Sequence, residues 1–221
     1  EVLPHLYEEH GQEFVSKLRG MFAVAIYDTK TRTLILARDR FGIKPLFYAP
    51  GRERLVFASE IGAFRDLPDI DDRPNRQAIY DFAALLYIPA PETFYTGIRA
   101  LEPGEILLGR LNHHKVSWNT RMYHRWSIVP DSKLNLAEAT DCADGLLTQA
   151  VRRQTESDVP LGSLLSGGID SSLVSLAAHE ALGDGLRTFN VRFSDAEYDE
   201  TWAAVSVAKH IGSQHETLDM D

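Results

Sequence analysis

Leu164-Leu165-Ser166-Gly167-Gly168-Ile169-Asp170-Ser171-Ser172 is the stretch whose reading decides how the second half of the chain folds. The apolar run Leu161 to Leu165 leads into it, and a helical pattern over about 171–182 leads out. A strand that turns directly into a helix leaves the first N–H groups of that helix unpaired and pointing outward. The positive end of the helix dipole lies behind them, so the turn favours an anion. Gly167 and Gly168 let the backbone turn tightly and approach an anion with no Cβ in the way. Ser166, Ser171 and Ser172 add hydroxyl donors, and a serine also suits a helix N-cap. Asp170 is out of place in a plain anion site, because a carboxylate repels a polyphosphate unless a magnesium ion lies between them.

Spacing separates the alternatives. A Walker loop needs a lysine after its last glycine, and none follows Gly168. A dinucleotide fingerprint needs a third glycine. A nucleophile elbow needs glycine two residues before its serine, where this chain has Leu164. A purely structural Gly-Gly turn with a serine cap remains compatible with the same residues.

Downstream, Arg187 to Val191 reads as a strand, about 199–210 as a helix and Gln214 to Thr217 as a short strand. Upstream, Leu136, Ala139, Cys142, Ala143, Leu146, Leu147, Ala150 and Val151 recur at helical spacing, which places Cys142 on an apolar face and predicts a buried packing role for it. Alternating strands and helices predict a parallel, doubly wound α/β sheet, incomplete at about three strands. The chain before residue 130 has a different pattern. A helical segment over 1–19, interrupted near Gly11, precedes two hairpins, Met21–Tyr27 with Thr33–Ala37 and Pro45–Ala49 with Leu55–Ala58. Their strands are apolar on both faces, which predicts an α+β layered domain whose sheet is covered on both sides. A short helix over 76–87, a turn at Pro103-Gly104 and a strand Glu105–Leu108 follow. The mixed, polar stretch from Asn112 to Lys133 reads as a connector, with the domain boundary near 130.

Composition sets bounds on function. The 221 residues allow one large or two small domains, and 44% apolar with 25% charged residues is ordinary for a globular protein. A net charge of -9 opposes bulk binding to nucleic acid or anionic membrane, though not a local phosphate site. Cys142 is the only cysteine, so no internal disulfide forms, and an intracellular setting fits. No apolar run approaches the ~20 residues of a membrane span. The chain opens on Glu1 inside an element and reads as a fragment of something longer. His113, His114, His124, His179, His210 and His215 lack metal-ligand spacing and read as solvated or capping residues. Asp69, Asp71 and Asp72 read as a solvated loop.

Ser166 to Ser171 resembles the PP-loop of the ATP pyrophosphatases, which cleave ATP between its α and β phosphates. Gly20 to Asp28, Ala37 to Leu46 and Phe57 to Glu60 resemble the glutaminase domain of class II amidotransferases. Ser157 to Pro160, Thr188 to Val191, Tyr198 to Glu200, and His210 to Gly212 with His215 resemble the glutamine-hydrolysing asparagine synthetases. The resemblance covers essentially the whole chain. It implies a glutaminase-type α+β layered sandwich over 1–130, followed by an α/β parallel-sheet ATP-pyrophosphatase domain over 131–221, both incomplete.

The resemblance further implies a cytoplasmic ligase that hydrolyses glutamine in one domain and passes ammonia to the other. There aspartate, activated by ATP and magnesium as β-aspartyl-AMP, becomes asparagine with release of AMP and pyrophosphate. Partners are then small-molecule substrates, with no nucleic acid and no membrane, and a homodimer of the full-length enzyme stays open. Carried over residue by residue, Leu165 and Val191 flank the adenosine part of ATP. Ser166, Gly167, Gly168, Asp170, Ser171 and Ser172 hold the pyrophosphate end, with Asp170 near magnesium. The segment from Arg38-Asp39 to Pro45-Leu46 belongs to the glutaminase side, or is a structural loop shaped by an ion pair. The family's nucleophile is an N-terminal cysteine, for which no residue of this span stands in. The resemblance thus implies that the span alone is inactive. The competing readings are an amidotransferase acting on another carboxylate and a non-catalytic ATP-binding module.

Overall fold

The computed structural model describes residues 2–112, 115–130, 133–195 and 199–220. The chain divides into two compact units, residues 1–128 and 129–221.

In the first unit, helix α1 (Val2–His10) ends at a single 3₁₀ turn, Gly11–Glu13, which leads into helix α2 (Phe14–Lys17). Gly11 sits at φ +56°, a conformation that interrupts the helical segment where the sequence places the break. Strands β1 (Ala23–Asp28) and β2 (Thr33–Arg38) form the first hairpin, with Asp28 opposite Thr33. Strands β3 (Phe47–Pro50) and β4 (Leu55–Ala58) form the second. Helix α3 (Arg76–Leu85) begins at Asn75, whose side chain accepts from the amides of Gln77 and Ala78, and stops at Leu86 with φ 61°. Strands β5 (Arg99–Ala100), β6 (Glu105–Asn112) and β7 (Lys115–Met122) complete the unit. Among the described residues the strands form two sheets, ordered β1-β2-β6-β7 and β4-β3-β5.

The first sheet is covered on both faces, as the doubly apolar strands predict. Ile35, Ala37 and Ile106 point to one side and pack with Phe14 and Val15 of α2. Leu36 and Leu107 point to the other and pack with Leu46, Tyr48 and Leu101. Successive strand residues alternate sides, so β2 feeds both cores from consecutive positions. The stretch expected to be a polar connector instead contains β7. It is an edge strand whose inward Trp118 packs edge-on against Tyr48 at 5.4 Å, while Ser117 and Asn119 face out. An edge strand with a polar outer face carries too few apolar residues to register as a strand. His113 and His114 lie outside the described residues.

In the second unit, helix α4 (Leu136–Gln154) starts at a capping box in which Asn135 and Glu138 satisfy each other's backbone amides. Strand β8 (Gly162–Leu164), helix α5 (Ile169–Leu182), strand β9 (Arg187–Phe193), helix α6 (Thr201–Ile211) and strand β10 (Gln214–Met220) follow. The sheet is parallel, ordered β10-β9-β8. Two expectations are corrected here. Among the described residues the sheet is wound on one side only: Val151 of α4, Ala178 and Leu182 of α5, and Val207 and Ile211 of α6 share one cluster around Leu186, so these helices gather on one face. Strands added in simple sequence order, each by a right-handed crossover, put their helices on the same side. Cys142 is exposed, not buried. The stripe it belongs to has helical periodicity, but no described residue covers that stretch of α4, and Leu136 and Leu146 are exposed with it.

Candidate functional site

Leu165 anchors the turn after β8. It is buried against Ala204 and Ala208 of α6, and its amide donates to Phe189 O at 2.8 Å. Burial of this one residue fixes where the exposed loop begins. At Gly167 the backbone takes φ +87°, and a Cβ there would lie 2.5 Å from Ala203 Cβ and 2.6 Å from Ala204 N. The loop therefore rests directly on the first turn of α6, at a distance only glycine permits. Ser166 and Ser171 bridge the loop through their hydroxyls at 2.9 Å, and the Ser172 hydroxyl donates to Gly168 O at 2.7 Å. Gly168 is the N-cap of α5 and supplies no side-chain cap, so the first-turn amides of a 14-residue helix face out of the loop. Asp170 lies in that first turn and is exposed.

Beside the loop lies a groove of about 260 Å³ whose lining includes Leu165, Ser166, Asn190, Val191 and Glu200. It brings Leu165 and Ser166 together with Val191. Gly167, Gly168, Asp170, Ser171 and Ser172 form the adjoining loop and helix start and do not line the groove. Among the described residues no group of three or more His, Cys, Asp or Glu could hold a metal ion.

Sequence reasoning missed the polar layer beneath the groove. Thr188 and Asn190 of β9 are buried, as is Thr201 of α6. His215 of β10, expected to be solvated, lies among them, with Nδ1 2.9 Å from Thr188 Oγ1 and Nε2 3.1 Å from Asn190 Oδ1. Burial pushes its pKa below the ordinary value. The available signal was the polar alternation of 188 and 190 on one strand and 215 and 217 on the next, which marks one face. His179 is likewise not fully solvated, since its Nδ1 is buried. The Asp69 and Asp71 carboxylates are engaged by Arg54 and Arg73, and the Arg73 guanidinium lowers Asp71 to about 2.

On the first unit, Asp39 is 1% exposed and accepts from four backbone amides, those of Phe22, Phe41, Ile43 and Lys44, at 3.0–3.3 Å. Burial pushes its pKa up, but these donors outweigh it and hold the carboxyl below its ordinary value. Arg38 does not form the expected ion pair. Its guanidinium instead donates to the carbonyls of Lys44, Leu101 and Gly42 at 2.7–2.8 Å. Both charged side chains thus wrap the loop 39–46 through its backbone, so the segment is built as a rigid turn.

Comparison with known proteins agrees with the division seen here. The family model described as "Glutamine amidotransferase domain" matches residues 1–124, and that described as "Asparagine synthase" matches residues 143–221. "Asparagine synthetase [glutamine-hydrolyzing] 1" of Bacillus subtilis is 32% identical over 97% of this chain and 33% of its own length. "Asparagine synthetase [glutamine-hydrolyzing] 2" of the same organism is 36% identical over 86% of this chain and 26% of its own length. "Amidase chry2" of Gibberella zeae is 29% identical over 100% of this chain and 34% of its own length. The chain spans about a third of the length of the curated relatives it matches. Among solved structures, the glutamine phosphoribosylpyrophosphate amidotransferase of B. subtilis is similar at a TM-score of 0.34 and 17% identity, over 99% of this chain and 54% of that one. With more than half of its residues inside the amidotransferase match, the chain belongs to the glutamine amidotransferase family and continues into a region that matches the asparagine synthase family.

Proposed function

We propose that this chain is part of a cytoplasmic, glutamine-hydrolysing asparagine synthetase, with residues 1–130 on the glutaminase side and 131–221 on the ATP-pyrophosphatase side. The observation that carries the reading is the loop 166–172. Its amides face out at an uncapped helix start, and a groove containing Leu165 and Val191 lies beside it. The first unit is then a glutaminase-type layered sandwich and the second an ATP-pyrophosphatase-type sheet.

The residues present fit a nucleotide polyphosphate and one magnesium ion. Outward amides and hydroxyls suit phosphate oxygens, and the exposed Asp170 carboxylate in the first turn of α5 suits a cation that usually takes few protein ligands beside phosphates. Bound there, magnesium would neutralise charge on the phosphates as pyrophosphate departs. Leu165 and Val191 would hold the adenosine end, while Ser166, Gly167, Gly168, Ser171 and Ser172 would orient the polyphosphate. An aspartate carboxylate acylates poorly on its own, and its mixed anhydride with AMP supplies a leaving group for attack by ammonia. Substrates are aspartate, glutamine and ATP, and the full-length enzyme is a candidate homodimer. A second reading is amidation of another carboxylate by the same loop, since a relative 29% identical over the whole chain carries a name other than asparagine synthetase.

The test is product analysis on the full-length protein with aspartate, glutamine and magnesium-ATP. AMP, pyrophosphate and asparagine are expected in equal amounts. ADP as the stoichiometric product rules out the loop assignment. AMP formation that needs a different acid in place of aspartate selects the second reading.

A further inference from the structure

The polar layer under the groove forms one directed chain of hydrogen bonds. Asn190 Oδ1 is an acceptor, so the His215 Nε2 that faces it at 3.1 Å carries the proton and donates. The Thr217 hydroxyl donates to the same oxygen at 2.7 Å. His215 Nδ1 must then accept, so the Thr188 hydroxyl donates to it at 2.9 Å and accepts in turn from Ser213 at 2.8 Å. Both bonds into Asn190 Oδ1 leave Asn190 Nδ2 to donate outward, and it meets Thr201 Oγ1 at 3.0 Å. Thr201 is the first residue of α6, and Ala203 and Ala204 just beyond it are the atoms on which Gly167 rests. No side-chain bond caps α6 at Glu200, so the Asn190–Thr201 bond and the Asp199 carboxylate, which accepts from Thr201 N at 3.0 Å, join the packing of Ala204 on Leu165 in holding this turn.

We propose that Asn190 is a positioning residue for the nucleotide loop: fixed in orientation by His215 and Thr217, it holds the first turn of α6, and with it the seat of Gly167, against the ends of β8 and β9. The proposal rests on the nucleotide reading of that loop. It deepens that reading by naming what sets the loop's height above the groove. A chain of single-direction hydrogen bonds allows one amide orientation at Asn190. The layer therefore keeps both edges of the groove, Asn190 itself and the loop seated on α6, in one register.

The experiment uses the full-length protein and substitutes Thr201, which does not line the groove. Thr201→Val keeps the shape and removes the hydroxyl, Thr201→Ser keeps the hydroxyl, and Thr201→Ala removes it with less demand on packing. Thr201→Val and Thr201→Ala are expected to raise the KM for ATP about tenfold with kcat nearly unchanged, because one buried hydrogen bond is lost from ground and transition states alike. Thr201→Ser should restore the wild-type KM, and glutamine hydrolysis should not change in any variant. If Thr201→Val does not fold, Thr201→Ala decides. A wild-type KM in a folded variant without the hydroxyl overturns the proposal, as does a loss in kcat that Thr201→Ser shares. Exchange of pyrophosphate into ATP by the wild-type protein, run with whichever acid supports AMP formation, separates the two levels: exchange with an unmoved KM removes the positioning role alone, and no exchange with any acid removes the nucleotide reading with it.

Discussion

Gly167 and Gly168 are neighbours in sequence and should respond very unequally to alanine. At Gly167, with φ +87°, a left-handed backbone costs an L-residue ~1–2 kcal/mol. The new Cβ would also meet Ala203 Cβ at 2.5 Å, Ala203 C at 2.6 Å and Ala204 N at 2.6 Å. Two of these are backbone atoms that cannot swing away, and overpacking of this kind costs ~1–3 kcal/mol. The combined penalty for Gly167→Ala is then ~2–5 kcal/mol, carried either as lost stability or as a loop lifted off α6. At Gly168 φ is -67° and the nearest atom to a built Cβ is Ser166 Oγ at 3.4 Å, an ordinary contact. Gly168→Ala should therefore cost only about 1 kcal/mol, the difference between glycine and alanine at an N-cap. The assay is thermal unfolding of both variants in the full-length protein, followed through the second unit. Gly167→Ala should lower the midpoint at least about twice as far as Gly168→Ala, in proportion to the two penalties. Adding Ala203→Gly to Gly167→Ala should recover only part of the loss, because the two backbone contacts remain. A Gly167→Ala protein that melts like wild type, or one less damaged than Gly168→Ala, would refute the claim that the loop sits on α6.

Asp170→Asn should cripple ATP-dependent synthesis while glutamine hydrolysis stays measurable, and should cost at most about 1 kcal/mol of stability through the helix dipole; wild-type synthesis would remove the magnesium role. Cys142, being exposed, should react with a thiol reagent in the folded protein, and Cys142→Ala should change stability by no more than about 0.5 kcal/mol; protection from the reagent would show that its face is covered. Asp39→Ala removes the acceptor of four part-buried amides and should cost about 1–3 kcal/mol, read as a lower midpoint of the first unit. His215 has its pKa lowered by burial, so the unfolded chain binds more protons than the folded one below the ordinary value of 6.5. Its contribution to stability is present above that value and is lost as pH falls through the depressed folded value. His215→Gln should flatten this arm of the melting-versus-pH curve, and an unchanged arm would assign it to another group.

The parts of the fold that depend on local chemistry were legible. The two hairpins show as apolar runs around polar turns, and Gly11 as a break in a helix. The strand–loop–helix at 161–182 shows because its glycines and serines stand between two unmistakable patterns. The doubly covered first sheet was legible for the same reason, since Ile35, Leu36 and Ala37 in succession leave no polar face. Winding was not legible. Alternation of strand and helix gives a parallel sheet, but the order of strands decides whether helices share a face, and order is a property of long-range pairing.

Burial was the harder inference, and it failed in both directions for one reason. Cys142 sits in an apolar helical stripe and is exposed, while Thr188, Asn190 and Thr201 are polar and buried. Periodicity says which residues share a face and nothing about what lies over that face. On α4 no described residue covers the stripe around Cys142. Over β9 and β10 the covering element is α6, whose Ala204 and Ala208 allow close approach, and the face beneath is polar because each group finds a partner in the chain through His215 and Asn190. A buried polar group is tolerable only when bonded, so the partners must be chosen as a set. That set comes from three elements, β9, α6 and β10. No single segment reveals it, which is why the layer under the groove emerges only from the fold.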